Sequence, residues 1–124
     1  MLVKSYRDLL VWQKAVDLVT RCYALTRQFP KSEIYGLTAQ IQRASVSVPA
    51  NIAEGHGREH MGDYLHHLSI ANGSLMELET RFLIAEKLNY LPTIDVERIL
   101  SQSGEVSRML TGLTKKLRQR TLAN

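Results

Sequence analysis

The sequence predicts an all-α protein, an antiparallel up-down-up-down four-helix bundle forming one domain over residues 1–124. Three observations lead there. Apolar side chains recur at alternating three- and four-residue steps over four long stretches, which is the period of a helix face and not of a strand. The breaks between the stretches are short and hold residues that end helices: Pro30, the Gly55 and Gly57 pair, and Pro92. With 44% hydrophobic and 23% charged residues, and only seven glycines and three prolines, the composition is that of a globular chain with a single core. Short connections between long helices favour antiparallel neighbours.

The first helix is expected from about Leu9 to Phe29. Trp12, Val16, Val19 and Tyr23 form one apolar stripe, Val11, Leu18 and Leu25 a second beside it, and Lys14, Asp17, Arg21 and Gln28 lie opposite. That arc is wider than one bundle seam requires. Val11, Leu18 and Leu25 are therefore assigned to an interface between copies of the chain. The second helix begins near Gly36 or Leu37, with Leu37, Ile41, Ala44, Val48 and Ile52 inward. Pro49 removes a backbone hydrogen bond, so a kink or restart is expected there, and Gly55 is expected to end the helix in the left-handed conformation.

The third helix repeats Tyr64, Leu68, Ala71, Leu75, Leu78, Phe82 and Ala85 up to about Asn89. Thr93 is the expected N-cap of the fourth, whose seam runs Val96, Ile99, Ser103, Val106, Leu110, Leu113 and Leu117. Gly104 and Gly112 cost this helix about 1 kcal/mol each relative to Ala, which implies close contacts.

Several functions lack their residues. No uncharged stretch approaches the roughly 20 residues of a membrane span, and the N-terminus has no apolar secretory core, so a cytoplasmic protein is expected. Cys22 is the only cysteine and reads as a small core residue. The four histidines fall between His56 and His67, and His60, Asp63 and His67 share a face, but the spacing lacks HExxH and reads as a helix-start surface. No Glu-x-x-His pair, Gly-rich phosphate loop or GxSxG turn occurs. No enzymatic activity, metal or cofactor is expected.

Charge is uneven along the chain. Residues 61–105 carry three Lys/Arg against seven Asp/Glu, whereas residues 106–124 carry five against none. Arg108, Lys115, Lys116, Arg118 and Arg120 are thus the candidate nucleic-acid-binding residues, because cations neutralise phosphates and release counterions without reading sequence. Ordinary solvation of a helix end is the plainer account of the same residues. Asn51 and Glu54 lie in the small-residue half of helix two and need partners if buried. A structural polar network of Arg43, Asn51, Glu54 and Glu79 that fixes helix register is expected, with a ligand site the alternative.

Three blocks in order resemble a known family: SYRDLLVWQKAVDLV, then RQFPKSEIYGLTAQIQRASVSVPANIAEGHGR, then SIANGSLMELET. The chain resembles the bacterial four-helix-bundle proteins named after intervening sequences in large-subunit ribosomal RNA genes, from about Tyr6 to Leu117. The resemblance implies a bundle that assembles into a ring or barrel of identical subunits, commonly a homopentamer. One branch is similar to the accessory protein of diversity-generating retroelements, which implies binding of DNA or RNA and a reverse transcriptase partner. Gln42 stands where an Arg often precedes Arg43, which removes one positive charge. Together these readings favour a homo-oligomeric scaffold for nucleic acid. A protein-protein adaptor, its basic end docked on an acidic partner, is the alternative.

Overall fold

A computed structural model describes residues 3–123. Two short 3-10 turns, Tyr6–Asp8 and Lys31–Glu33, accompany four α-helices: α1 Leu10–Thr26, α2 Leu37–His56, α3 Met61–Lys87 and α4 Thr93–Ala123. Among the described residues there is no strand. A capping box opens the fold: the Ser5 hydroxyl accepts from the Arg7 N–H, and the Asp8 carboxylate accepts from the Ser5 N–H.

Several boundaries differ from the sequence expectation, each for a local reason. α1 stops at Thr26, because the chain tightens: Gln28 N–H donates to Leu25 C=O and Phe29 N–H to Thr26 C=O. α2 runs unbroken through Pro49 to His56. A proline inside a helix costs one backbone hydrogen bond and about 3 kcal/mol, but Pro49 is itself buried, and the packing of the surrounding face carries the helix across it. Gly55 does not end the helix, and among the described residues no glycine has a positive φ. A Cβ at Gly55 would lie 2.8 Å from His67 Cβ and 3.2 Å from Tyr64 C=O, so its role is to let α2 and α3 approach.

α3 ends in a Schellman motif around Asn89, whose φ is 61°, with Tyr90 N–H on Ala85 C=O and Asn89 N–H on Glu86 C=O. Thr93 is the first helical residue and not the cap, since Asp95 and Val96 both donate to Pro92 C=O. Gly104 and Gly112 mark no close helix approach: Gly104 has only the end of the Arg108 side chain near it, and Gly112 has nothing within 4 Å.

Each helix packs on its two sequence neighbours, with α4 returning to α1, and neither diagonal pair meets. Cross-links fix the antiparallel sense: Ser74 with Ser47 and His67 with Asn51 between α3 and α2, Ser103 with Glu79 and Ser107 with Asn72 between α4 and α3, and Lys14 with Glu105 between α1 and α4. The core joins Leu18, Ile41, Val48, Ile52, Leu75, Leu78, Phe82 and Val106, all fully buried. Burying such side chains is worth about 1.5–3 kcal/mol each.

The stripes of α1 are reversed relative to the expectation. Val11, Leu18 and Leu25 are 5%, 0% and 7% exposed and belong to the core, so they cannot form an interface between copies. Trp12, Val16 and Val19 are half-buried and Tyr23 is 39% exposed. The surplus apolar surface therefore lies on their stripe. Among the described residues no helix is long and apolar enough to cross a membrane.

Candidate nucleic-acid interface

The second half of α4 has two sharply different sides. Val106, Leu110 and Leu117 face the core, while Arg108, Lys115, Lys116, Arg118 and Arg120 are all exposed. Arg108 and Lys115 are seven residues apart and share one stripe, with Lys116 and Arg118 on either side. Among the described residues the ion pairs are Lys14 with Glu105, Arg58 with Glu54 and Arg81 with Glu77. Among the described residues none of the five α4 cations has an ion-pair partner. Their field is uncompensated locally, because residues 106–124 contain no acid.

The charge of Arg120 on α4 acts on Tyr64 near the start of α3. Burial pushes the Tyr64 phenol above its ordinary range, and the Arg120 charge pulls it part of the way back. The Tyr64 ring also meets His56 edge-on at 5.8 Å. Between these helices runs a groove of about 500 Å³, with Leu65, Leu68 and Leu110 at its base and Lys115 and Arg118 at its α4 margin. Asn72 lines it from α3. Its Oδ1 accepts from the Ser107 hydroxyl at 2.8 Å, and among the described residues its amide nitrogen donates to no protein group.

The polar residues expected in one network are separated. Glu54 is exposed and pairs at 2.7 Å with Arg58, two residues beyond the end of α2. Arg43 is exposed and makes no ion pair or side-chain hydrogen bond among the described residues. Asn51 instead sits in an α2–α3 seam: its amide donates to Ser47 C=O and Ser47 Oγ, and its Oδ1 faces His67 Nδ1 at 2.9 Å. Since Asn51 Oδ1 can only accept, that geometry assigns the imidazole proton to His67 Nδ1. Ser74 donates to Ser47 Oγ at 2.9 Å and closes the seam. Glu79 belongs to a second seam, accepting from the Ser103 hydroxyl at 2.6 Å.

Sequence reasoning missed Ser47, His67, Ser74 and Ser107 as partners. Only the seven-residue spacing of Asn72 and Glu79 beside the α3 seam pointed to the second set. Among the described residues no three His, Cys, Asp or Glu side chains gather as metal ligands would. Cys22 is fully buried, and burial pushes its thiol up to about 12.

Fold and site together define a class: an antiparallel α-bundle with one strongly basic outer helix. Residues 7–112 match the family described as 23S rRNA-intervening sequence protein, and the chain belongs to that family. It is also similar to the crystal structure of a protein from the S23 ribosomal protein family of Bacteroides thetaiotaomicron VPI-5482, with a TM-score of 0.79 and 23% identity, covering 86% of this chain and 96% of that one. At that identity the likeness concerns the fold. No curated protein matches the chain.

Proposed function

We propose that this chain is a non-enzymatic scaffold that assembles with copies of itself into a homopentameric ring. It binds DNA or RNA through the outer face of α4 and holds it for a nucleic-acid enzyme, such as a reverse transcriptase, in the cytoplasm. The observation that carries this reading is the set of five exposed cations on α4, without ion-pair partners among the described residues and in a segment without an Asp or Glu. A ring repeats that face around an axis, which raises its field and its avidity.

Assembly uses the surface that the corrected α1 stripe leaves open. Trp12, Val16 and Val19 of this stripe are half-buried, and Tyr23 lines a groove with Ala39, Gln42, Arg43 and Val46 of α2. Apolar surface left open in this way is a place for a second copy to pack.

A gel shift with mixed DNA and RNA across a salt series tests the binding. Affinity should fall steeply with salt, with a log–log slope of about −0.9 for each duplex phosphate neutralised. Changing Lys115, Lys116 and Arg118 together to Glu should abolish the shift while helicity and thermal unfolding stay as in the parent. No shift at low salt would sink the reading and leave a basic end that docks on an acidic protein. Light-scattering mass tests the ring, and a lone subunit at micromolar concentration removes it.

A further inference from the structure

We infer that the α3–α4 groove seats an unpaired nucleobase, so that the chain selects single-stranded over duplex nucleic acid. This rests on the nucleic-acid reading above and adds which form of the polymer is held.

Each part of the groove suits one part of a nucleotide. Leu65, Leu68 and Leu110 offer an apolar floor for the face of a heterocycle. Ser69 and Asn72 on the α3 side, and Thr114 and Gln119 on the α4 side, offer neutral donors and acceptors for its edge. Lys115 and Arg118 stand three residues apart on one margin, where they can take the adjoining phosphates. Asn72, a half-buried residue, lines this space, and its amide nitrogen has no protein partner among the described residues.

The charge layout separates a nucleotide from an acidic helical peptide. A helix lying in a trough with acids on both flanks calls for cations on both margins. Here the cations are all on α4, and α3 has no Lys or Arg before Arg81. One charged margin facing one hydrogen-bonding margin matches a phosphate on one side and a base edge on the other. The groove beside Phe29 also holds two cations, Arg27 and Lys31, but its Thr26 and Gln42 are already bonded, Gln42 Nε2 donating to Thr26 Oγ1 and Thr26 Oγ1 to Tyr23 C=O. The α2–α3 groove beside Met76 holds an arginine already paired with Glu77, and the α1–α2 groove beside Tyr23 holds Arg43 alone.

In a duplex the base edges are consumed by pairing and the faces by stacking, so only an unpaired base can enter. No aromatic side chain lines the groove, so leucine packing and edge hydrogen bonds replace aromatic stacking.

Fluorescence anisotropy of the full chain with equal-length single-stranded and duplex oligonucleotides at low salt tests this. The single strand should bind about tenfold tighter, the size of one or two net hydrogen bonds to the base edge. Filling the groove with Ser69→Leu and Thr114→Leu should erase that preference and leave duplex affinity unchanged. Gln119→Leu, at an exposed position, should reduce the preference in the same direction, and it serves should the double variant not fold. Lys115→Glu with Arg118→Glu should weaken both polymers. Equal binding of the two forms, still dependent on the α4 cations, overturns the base site and leaves the broader reading intact. A single-strand preference that survives a filled groove also overturns it. Binding of neither polymer overturns both readings. Capture of an acidic helical peptide that is lost on filling, with the oligonucleotide affinities unmoved, assigns the groove to a protein and overturns the base site as well.

Discussion

Gly55 and Gly112 are both helical glycines, yet substitution should affect them oppositely. At Gly55 a methyl group would meet His67 Cβ at 2.8 Å, an atom close to the backbone that cannot swing aside. Gly55→Ala should therefore destabilise the fold by about 1–2 kcal/mol net, overpacking outweighing the gain in helix propensity. At Gly112 nothing lies within 4 Å, and Gly112→Ala should stabilise by about 0.5–1 kcal/mol. Urea unfolding of the two variants beside the parent decides both signs. Cys22 makes a prediction in pH. Its thiol is pushed from an ordinary 9.0 to about 12, so between those values the unfolded chain sheds the proton and the native chain keeps it. Stability then falls as pH rises, by about 1.4 kcal/mol per unit, and below pH 9 the thiol contributes no slope. The stability gap between the parent and Cys22→Ala should narrow by about that amount from pH 8 to pH 10. A constant gap would contradict the buried, neutral thiol.

At the scale of the helix, α1 shows what periodicity can and cannot supply. Both of its stripes are apolar and both recur at helical spacing, so the sequence identifies a helix with a wide hydrophobic arc but does not say which stripe points inward. The partners decide that, through the Lys14 pair with Glu105 on α4 and the packing of Leu18 and Cys22 at zero exposure. Leu18→Asp should unfold the chain, since it places an unpaired charge in the core. Tyr23→Asp, at 39% exposure, should leave helicity near that of the parent and lower the melting temperature by no more than the loss of assembly does. Circular dichroism melts distinguish the cases, and two equally folded variants would reverse the stripes again. The α3 and α4 seams were legible because each has one apolar row with polar residues on both sides. The α2–α3 polar seam was not. Asn51, His67, Ser47 and Ser74 come together only once the two helices have a register, and sequence spacing within either helix does not encode it.

For the whole molecule, the order, number and antiparallel sense of the helices followed from short breaks between long periodic stretches. The basic face of α4 was likewise visible, because a run of five cations without an acid needs no three-dimensional knowledge. The groove was hidden, since its floor comes from two helices and its walls from ordinary serine, threonine and asparagine.

The two ends of the molecule are also fastened differently. At one pole Glu33 accepts from the Leu37 N–H with one carboxylate oxygen and from the Tyr90 hydroxyl with the other, at 3.1 and 2.8 Å, and that bond raises the Tyr90 phenol above its ordinary range. A single carboxylate thereby buckles the first hairpin to the second. At the other pole, α4 beyond Ser107 makes no side-chain hydrogen bond to another helix among the described residues and is held by the apolar packing of Met109, Leu110, Leu113 and Leu117. The fastening is accordingly uneven, directional at the pole where a carboxylate joins the two turns and purely apolar at the pole that carries the cations.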